Sequence, residues 1–190
     1  MKNIAIFASG SGSNAENIIR YFKNHPMVRI DSVWSNKKDA YVIQRAQKLG
    51  VEARYFTREQ FSGSDRVIRE LQHRNVELVV LAGFLWLVPP EFVDAFTLIN
   101  IHPALLPKYG GKGMYGSFVH ESVVQNKDKE SGITIHLVNK EYDQGEHLLQ
   151  VKCPVLPDDN PETLAARIHE LEYAYFPKAI EDYLKRIESL

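Results

Sequence analysis

The chain has 190 residues, 44% hydrophobic and 25% charged, with 23 Lys and Arg against 24 Asp and Glu. One domain over residues 1–190 is the economical expectation at about 150 residues per domain, and a net charge of -1 argues against a broad basic nucleic-acid surface but not against a small anionic ligand. The single cysteine, Cys153, excludes an internal disulfide framework and a Cys-based zinc site. The longest apolar run, 78–88, is too short to span a bilayer, and the N-terminus has no signal-peptide pattern, so a cytoplasmic protein is expected.

Short apolar runs alternate with helix-period segments. Residues 3–8 read as a buried strand that stops at Ser9-Gly10-Ser11-Gly12. Residues 14–24 follow as a helix with Ile18, Ile19 and Phe22 in one stripe. Strands are expected at 29–34 and 51–56, around a helix over 39–49 that ends at Gly50. Thr57 or Ser64 caps the next helix, which runs to about residue 74. Residues 76–82 form the strongest strand and look buried on both faces. Pro89-Pro90 opens a short helix, and 98–101 is a short strand. This alternation predicts βαβ units and an α/β, Rossmann-like, mostly parallel sheet flanked by helices.

The pattern changes after residue 102. Residues 102–117 carry many Gly and Pro and read as a long loop, followed by a helix near 118–125. Two strands, 133–138 and 148–155, are joined by 139–147 and form an antiparallel C-terminal portion. Residues 161–186 are helical, with Pro161 at a first helical position and Pro177 as a candidate break.

Three places carry groups that suit chemistry. Gly10-Ser11-Gly12-Ser13-Asn14, between a strand and a helix, can aim backbone N–H groups and a helix N-terminus at a phosphate. The same glycines fit a loose dinucleotide fingerprint, but Ser35-Asn36-Lys37 stand where an acidic residue would be wanted. The bland alternative is a tight capped turn. Second, alternation puts Asn100 and His102 on one face at the carboxyl end of a strand, where open α/β sheets collect ligands. An amide donor beside an imidazole could hold a developing oxyanion and move a proton, or both side chains could simply bond loop backbone. Third, Asp143 in Tyr142-Asp143-Gln144-Gly145 is either a turn residue or the carboxylate partner of an imidazole. The remaining histidines, His25, His73, His120, His136, His147 and His169, form no i, i+4 metal pair, so no metal is expected. His136 lies inside a strand, as a core residue or facing the cleft, and His120 reads as a helix-surface residue. Cys153 reads as a packed side chain. The run Phe84-Leu85-Trp86-Leu87-Val88 is either core or the wall of a pocket for a flat heterocycle.

Taken in order, GSGSN at 10–14, WSNKKDA at 34–40, VVLAGF at 79–84, NIHPALLPKY at 100–109, GITIHLV at 132–138, YDQG at 142–145 and ARIHELEYAYFP at 166–177 resemble the folate-dependent phosphoribosylglycinamide formyltransferases. The resemblance covers about 3–183. It implies formyl transfer from 10-formyltetrahydrofolate, a co-substrate, to the amine of 5-phosphoribosylglycinamide in purine biosynthesis, by direct attack through a tetrahedral intermediate and without a metal.

The resemblance carries residue roles with it. It implies Asn100, His102 and Asp143 as catalytic groups, with Asp143 keeping His102 cationic. Gly12, Ser13, Asn14 and Glu172 would bind the ribonucleotide. Leu85, Trp86, Leu87 and Val88, with Asn100 and the loop Asn139, Lys140, Glu141, Tyr142 and Asp143, would hold the folate. Trp86 stands where relatives often have Arg, Ser64 where some relatives have a folate-contacting Arg, with Arg66 close by, and His169 where they often have Lys.

Small-molecule partners, no nucleic acid, no membrane and a monomer or homodimer are implied. A formyltetrahydrofolate hydrolase or methionyl-tRNA formyltransferase would need an additional domain. A non-catalytic nucleotide-binding module would need no meeting of His102 with Asp143.

Overall fold

In the computed structural model, residues 1–188 are described, so the last two residues of the expected domain, 189 and 190, lie outside the described residues. The backbone clusters into two compact units, Met1–Asn100 and a second beginning at Ile101.

The first unit is built from parallel strands β1 (Lys2–Phe7), β2 (Val28–Ser35), β3 (Glu52–Tyr55), β4 (Val76–Leu81) and the first part of β5 (Thr97–His102). β1 pairs in parallel with both β2 and β4, β2 with β3, and β4 with β5. The chain therefore reverses its winding at β1, and the loops after β1 and β4 flank the switch point where such sheets bind ligands. Ile4, Ile6, Leu78, Val79 and Val80 are fully or almost fully buried. This is why both central strands read as continuous apolar runs. Phe7 lies within 6.1 Å, ring centre to ring centre, of Trp34, Phe56, Phe61, Phe84 and Phe92, an aromatic core beneath the carboxyl ends of the strands.

Helix α1 (Ser13–Phe22) buries Ala15, Ile18, Ile19 and Phe22, the stripe expected from the sequence. Helix α2 (Tyr41–Lys48) buries Val42 and Ala46. The single helix expected after Thr57 or Ser64 is two helices. Thr57 caps α3 (Arg58–Ser62) through a capping box with Gln60, and Gly63 closes it. Helix α4 (Arg66–His73) then starts anew after Asp65. Helix α5 (Pro90–Ala95) begins on the Pro pair as expected.

In the second unit, β6 (Glu130–Leu137) runs antiparallel to β7 (His147–Pro154). Helix α6 (Ser117–Gln125) packs on α7 (Pro161–Glu188), and α7 packs on β6 and β7. The strand order is β3-β2-β1-β4-β5-β6-β7, so the expected, mostly parallel sheet with an antiparallel C-terminal portion is present. Pro177 does not break α7, which continues through it. Phe176, Pro177 and Ile180 are buried together, and this packing offsets the roughly 3 kcal/mol that an interior proline costs. Among the described residues no helix is long and apolar enough to cross a membrane.

Candidate active site

β5 delivers two polar side chains to one face, because Asn100 and His102 are two residues apart on a strand whose other face carries Ile99 and Ile101. His102 is 4% exposed. Its Nε2 lies 2.7 Å from the Tyr109 carbonyl oxygen. A carbonyl only accepts, so Nε2 carries the proton and Nδ1 is left for another partner. That partner is Asp143, whose Oδ2 is 3.6 Å from Nδ1, an ion-pair separation and longer than a hydrogen bond.

The turn 142–145 holds Asp143 in the left-handed region, at φ +54°. Aspartate is one of the few non-glycine residues that tolerate this conformation. Gly111 N–H donates to Asp143 Oδ2 at 3.0 Å. Asp143 Oδ1 faces His136 Nε2 at 3.6 Å, and His136 Nδ1 donates to its neighbour's carbonyl, Leu137 O, at 2.8 Å. Gly145 has no alternative residue, because a Cβ there would stand 1.6 Å from Leu137 O. Asp143 is thus both a turn residue and an imidazole partner, and the two readings of the sequence are not exclusive.

Burial alone would raise the Asp143 carboxyl, but His136, His102 and the Gly111 N–H outweigh it and hold the group below the usual carboxylate range. For His102 the balance goes the other way. Burial pushes the imidazole down more strongly than Asp143 and the Tyr109 carbonyl raise it, with His136 adding to the downward push. Asp143 raises the His102 pKa, while the burial of the imidazole works against it in the free protein.

The turn after His102 is fastened by Thr134, which is completely buried. Its Oγ1 donates to Ala104 O at 2.8 Å and accepts from Leu106 N–H at 3.1 Å and Gln150 Nε2 at 2.9 Å. Sequence reasoning gave no role to Thr134 or Gln150, and it left His136 undecided. Nothing local marks Thr134 or Gln150, because their partners are 16 to 44 residues away.

Glu172 is 6% exposed, on the α7 stripe that includes Ile168 and Phe176. His169 stacks on Tyr173 one turn along. His120 is not a helix-surface residue. It is 4% exposed in the α6 stripe Val119, His120 and Val123, and its Nδ1 has no hydrogen-bond partner among the described residues. Burial, then His169 and His102, push its imidazole down to about 4. Burial likewise raises the Cys153 thiol, which leaves it a packing residue. Among the described residues no group of three or more His, Cys, Asp or Glu is suited to a metal ion.

The other two candidate segments lie in the first unit. Gly12 takes φ +75° as the N-cap of α1, ahead of Ser13 and Asn14. In the 84–88 run, Leu85 and Leu87 are 43% and 45% exposed and Val88 is buried. Trp86 packs on Phe56, Phe61 and Phe84, under the Arg58 guanidinium 4.8 Å above its ring. The two segments are joined by Ser9. Its N–H donates to Gly83 O at 3.0 Å, and its Oγ accepts from Leu85 N–H at 2.9 Å. In the second unit, Asn139 Oδ1 accepts from Glu141 N–H at 2.9 Å. This bond orders the exposed turn of Lys140, Glu141 and Tyr142 ahead of Asp143.

Residues 2–180 match the formyl transferase family. The chain belongs to the formyl transferase family, and with it to the formyl-transferring enzymes. It is 38% identical over 188 residues to phosphoribosylglycinamide formyltransferase of Haemophilus influenzae, covering 95% of this chain and 86% of that one. Among solved structures it resembles glycinamide ribonucleotide transformylase 1 of Symbiobacterium toebii, with TM-score 0.86 and 32% identity, over 95% of this chain and 86% of that one. It also resembles phosphoribosylglycinamide formyltransferase of Bacillus halodurans, with TM-score 0.88 and 30% identity, over 100% of this chain and 98% of that one.

Proposed function

We propose that this formyltransferase moves the formyl group of 10-formyltetrahydrofolate to the amine of 5-phosphoribosylglycinamide, a step of de novo purine (IMP) biosynthesis in the cytoplasm. The observation that carries the reading is the meeting of His102 Nδ1 with a fixed carboxylate, Asp143 Oδ2 at 3.6 Å, on the strand that also bears Asn100. The names of the relatives support formyl transfer onto phosphoribosylglycinamide.

Catalysis then needs no covalent enzyme intermediate. The substrate amine attacks the formyl carbon, a C–N bond forms, and the carbonyl π pair moves onto oxygen. The Asn100 amide and the His102 imidazole stabilise that oxyanion, which is where preorganised donors lower a barrier most. The amine proton passes through the Asp143 carboxylate, directly or by water, to the departing folate nitrogen as its bond to the formyl carbon breaks. His102 starts neutral in the free protein; the same amine proton is shared with its Nδ1, beside Asp143, while the oxyanion exists, and then passes on to the folate nitrogen, so one proton is moved in all. Gly12, Ser13 and Asn14 hold the substrate phosphate, and Glu172 accepts the ribose hydroxyl protons. Leu85, Leu87 and Val88, with Trp86 contributing backbone only, serve as pterin contacts, as do residues 139–143.

An absorbance assay with 10-formyltetrahydrofolate, run with and without the ribonucleotide amine, tests the proposal. Turnover only in the presence of the amine is expected. Folate turnover without it identifies a hydrolase and overturns the reading.

A further inference from the structure

The loop 10–14 is shaped from outside itself, by the first turns of α2. Val42 N–H donates to Gly10 O at 3.1 Å, and Arg45 Nε donates to Ser11 O at 2.8 Å. In a trans peptide the C=O and the next residue's N–H point in opposite directions. Drawing the Gly10 and Ser11 carbonyls toward α2 therefore turns the N–H groups of Ser11 and Gly12 away from it. A loop that is to bind an anion must present N–H groups and hide its carbonyls, since an inward carbonyl oxygen would repel the ligand.

The rest of the contact keeps this arrangement in place. A Cβ on Gly12 would stand 2.3 Å from Val42 Cγ2, so α2 presses directly on the loop at its φ +75° residue. Arg45 is itself anchored. Its Nη1 pairs with Glu16 of α1, which also binds Arg20, and its guanidinium lies 4.8 Å over the Tyr41 ring. The Arg45 and Arg20 bonds hold the Glu16 carboxyl below its ordinary range, so the clamp stays charged at neutral pH. Arg45 thus spans from the helix behind the loop to the helix the loop opens.

We infer that Arg45 is a positioning residue for the ribonucleotide substrate: it presets the 10–14 loop as an anion cradle by holding the Ser11 carbonyl outward. The inference rests on the proposed role of that loop.

Arg45→Met removes the donors and keeps the apolar stem. It is expected to raise KM for 5-phosphoribosylglycinamide, and Kd for inorganic phosphate, by about tenfold, the scale of one lost charge-assisted hydrogen bond. The same variant should leave kcat within about twofold and KM for 10-formyltetrahydrofolate unchanged, since it removes binding shared by ground and transition states. Arg45→Lys, with one donor on a flexible stem, should recover part of the loss. An unchanged ribonucleotide KM in Arg45→Met, with a raised KM in Gly12→Ala, overturns the inference and leaves the loop reading intact. Unchanged KM in Arg45→Met, Gly12→Ala and Ser13→Ala together overturns both. A fall in Tm with both KM values and kcat impaired makes Arg45 general scaffold and also overturns it.

Discussion

Asp143 serves two imidazoles at once, with Oδ2 3.6 Å from His102 Nδ1 and Oδ1 3.6 Å from His136 Nε2, on a backbone at φ +54°. One carboxylate oxygen faces each ring, and the Gly111 N–H fixes which oxygen faces which. Asp143→Asn keeps the shape and removes the charge. It is expected to lower kcat by about 10²–10⁴-fold, the usual range for lost acid–base help, with KM for both substrates little changed. Steady-state kinetics measure this, and near-normal kcat would refute the proposed role.

The depressed imidazole of His102 sets the sign of a pH effect. The neutral form is the one present at neutral pH, and it is lost only as pH falls through a pKa below the ordinary 6.5. The acid limb of kcat/KM is therefore expected below that value. In Asp143→Asn the residual activity should show the limb still lower, because the carboxylate that raises the His102 pKa is gone. A limb that moves upward in the variant contradicts this electrostatic balance.

His120 is expected to make the fold acid-labile. Its imidazole falls from 6.5 to about 4 on folding, so the unfolded chain binds the extra proton between those values. Stability is complete above the unfolded pKa and declines as pH drops toward 4, by at most about 3 kcal/mol. His120→Leu, apolar and of similar bulk, should shrink the difference between Tm at pH 7.5 and Tm at pH 5. Thermal melts at the two values decide the matter, and an unchanged difference would assign the lability elsewhere.

Thr134→Val removes a completely buried hydroxyl that bonds Ala104 O, Leu106 N–H and Gln150. The backbone partners stay buried and become unpaired, at a cost of about 2–3 kcal/mol. Because they belong to the turn just after His102, kcat should fall along with the urea midpoint. Loss of stability with full kcat would separate the turn from the chemistry.

At Gly12 the backbone and the space agree. Ala there meets a positive φ and the Val42 side chain, and should cost about 1–3 kcal/mol. Gly12→Ala combined with Val42→Ala removes only the Cγ2 contact and leaves the Cβ of residue 42 at 2.4 Å, its backbone Cα at 2.7 Å and the positive φ, so the double variant should regain only a small part of the loss. Denaturant unfolding of the three variants measures the split, and full recovery would show that space alone matters.

Much of this was legible in the sequence, for physical reasons that differ by element. β4 was plain because a strand buried on both faces is apolar without interruption. The α1 stripe was plain because its period is helical, and Asn100 and His102 shared a face by alternation alone. His120 was misread because its stripe, 119, 120 and 123, includes only one polar residue, and polarity by itself suggested solvent. Pro177 was misread because local propensity for a break is overridden by burial along α7. The roles of Arg45 and Thr134 were not legible at all, and that of His136 stayed open between core and cleft. Arg45 reaches a carbonyl 34 residues away, and no local pattern announces such a partner.

Ser9 ties the loop after β1 to the loop after β4 through both its N–H and its hydroxyl. The 84–88 run is therefore not a freely exchangeable cassette. Anyone grafting it from a relative to change which folate analogues are accepted inherits a requirement for a short hydroxyl side chain at position 9. Replacing Ser9 by a residue that cannot accept from Leu85 N–H would disturb both loops with a single substitution.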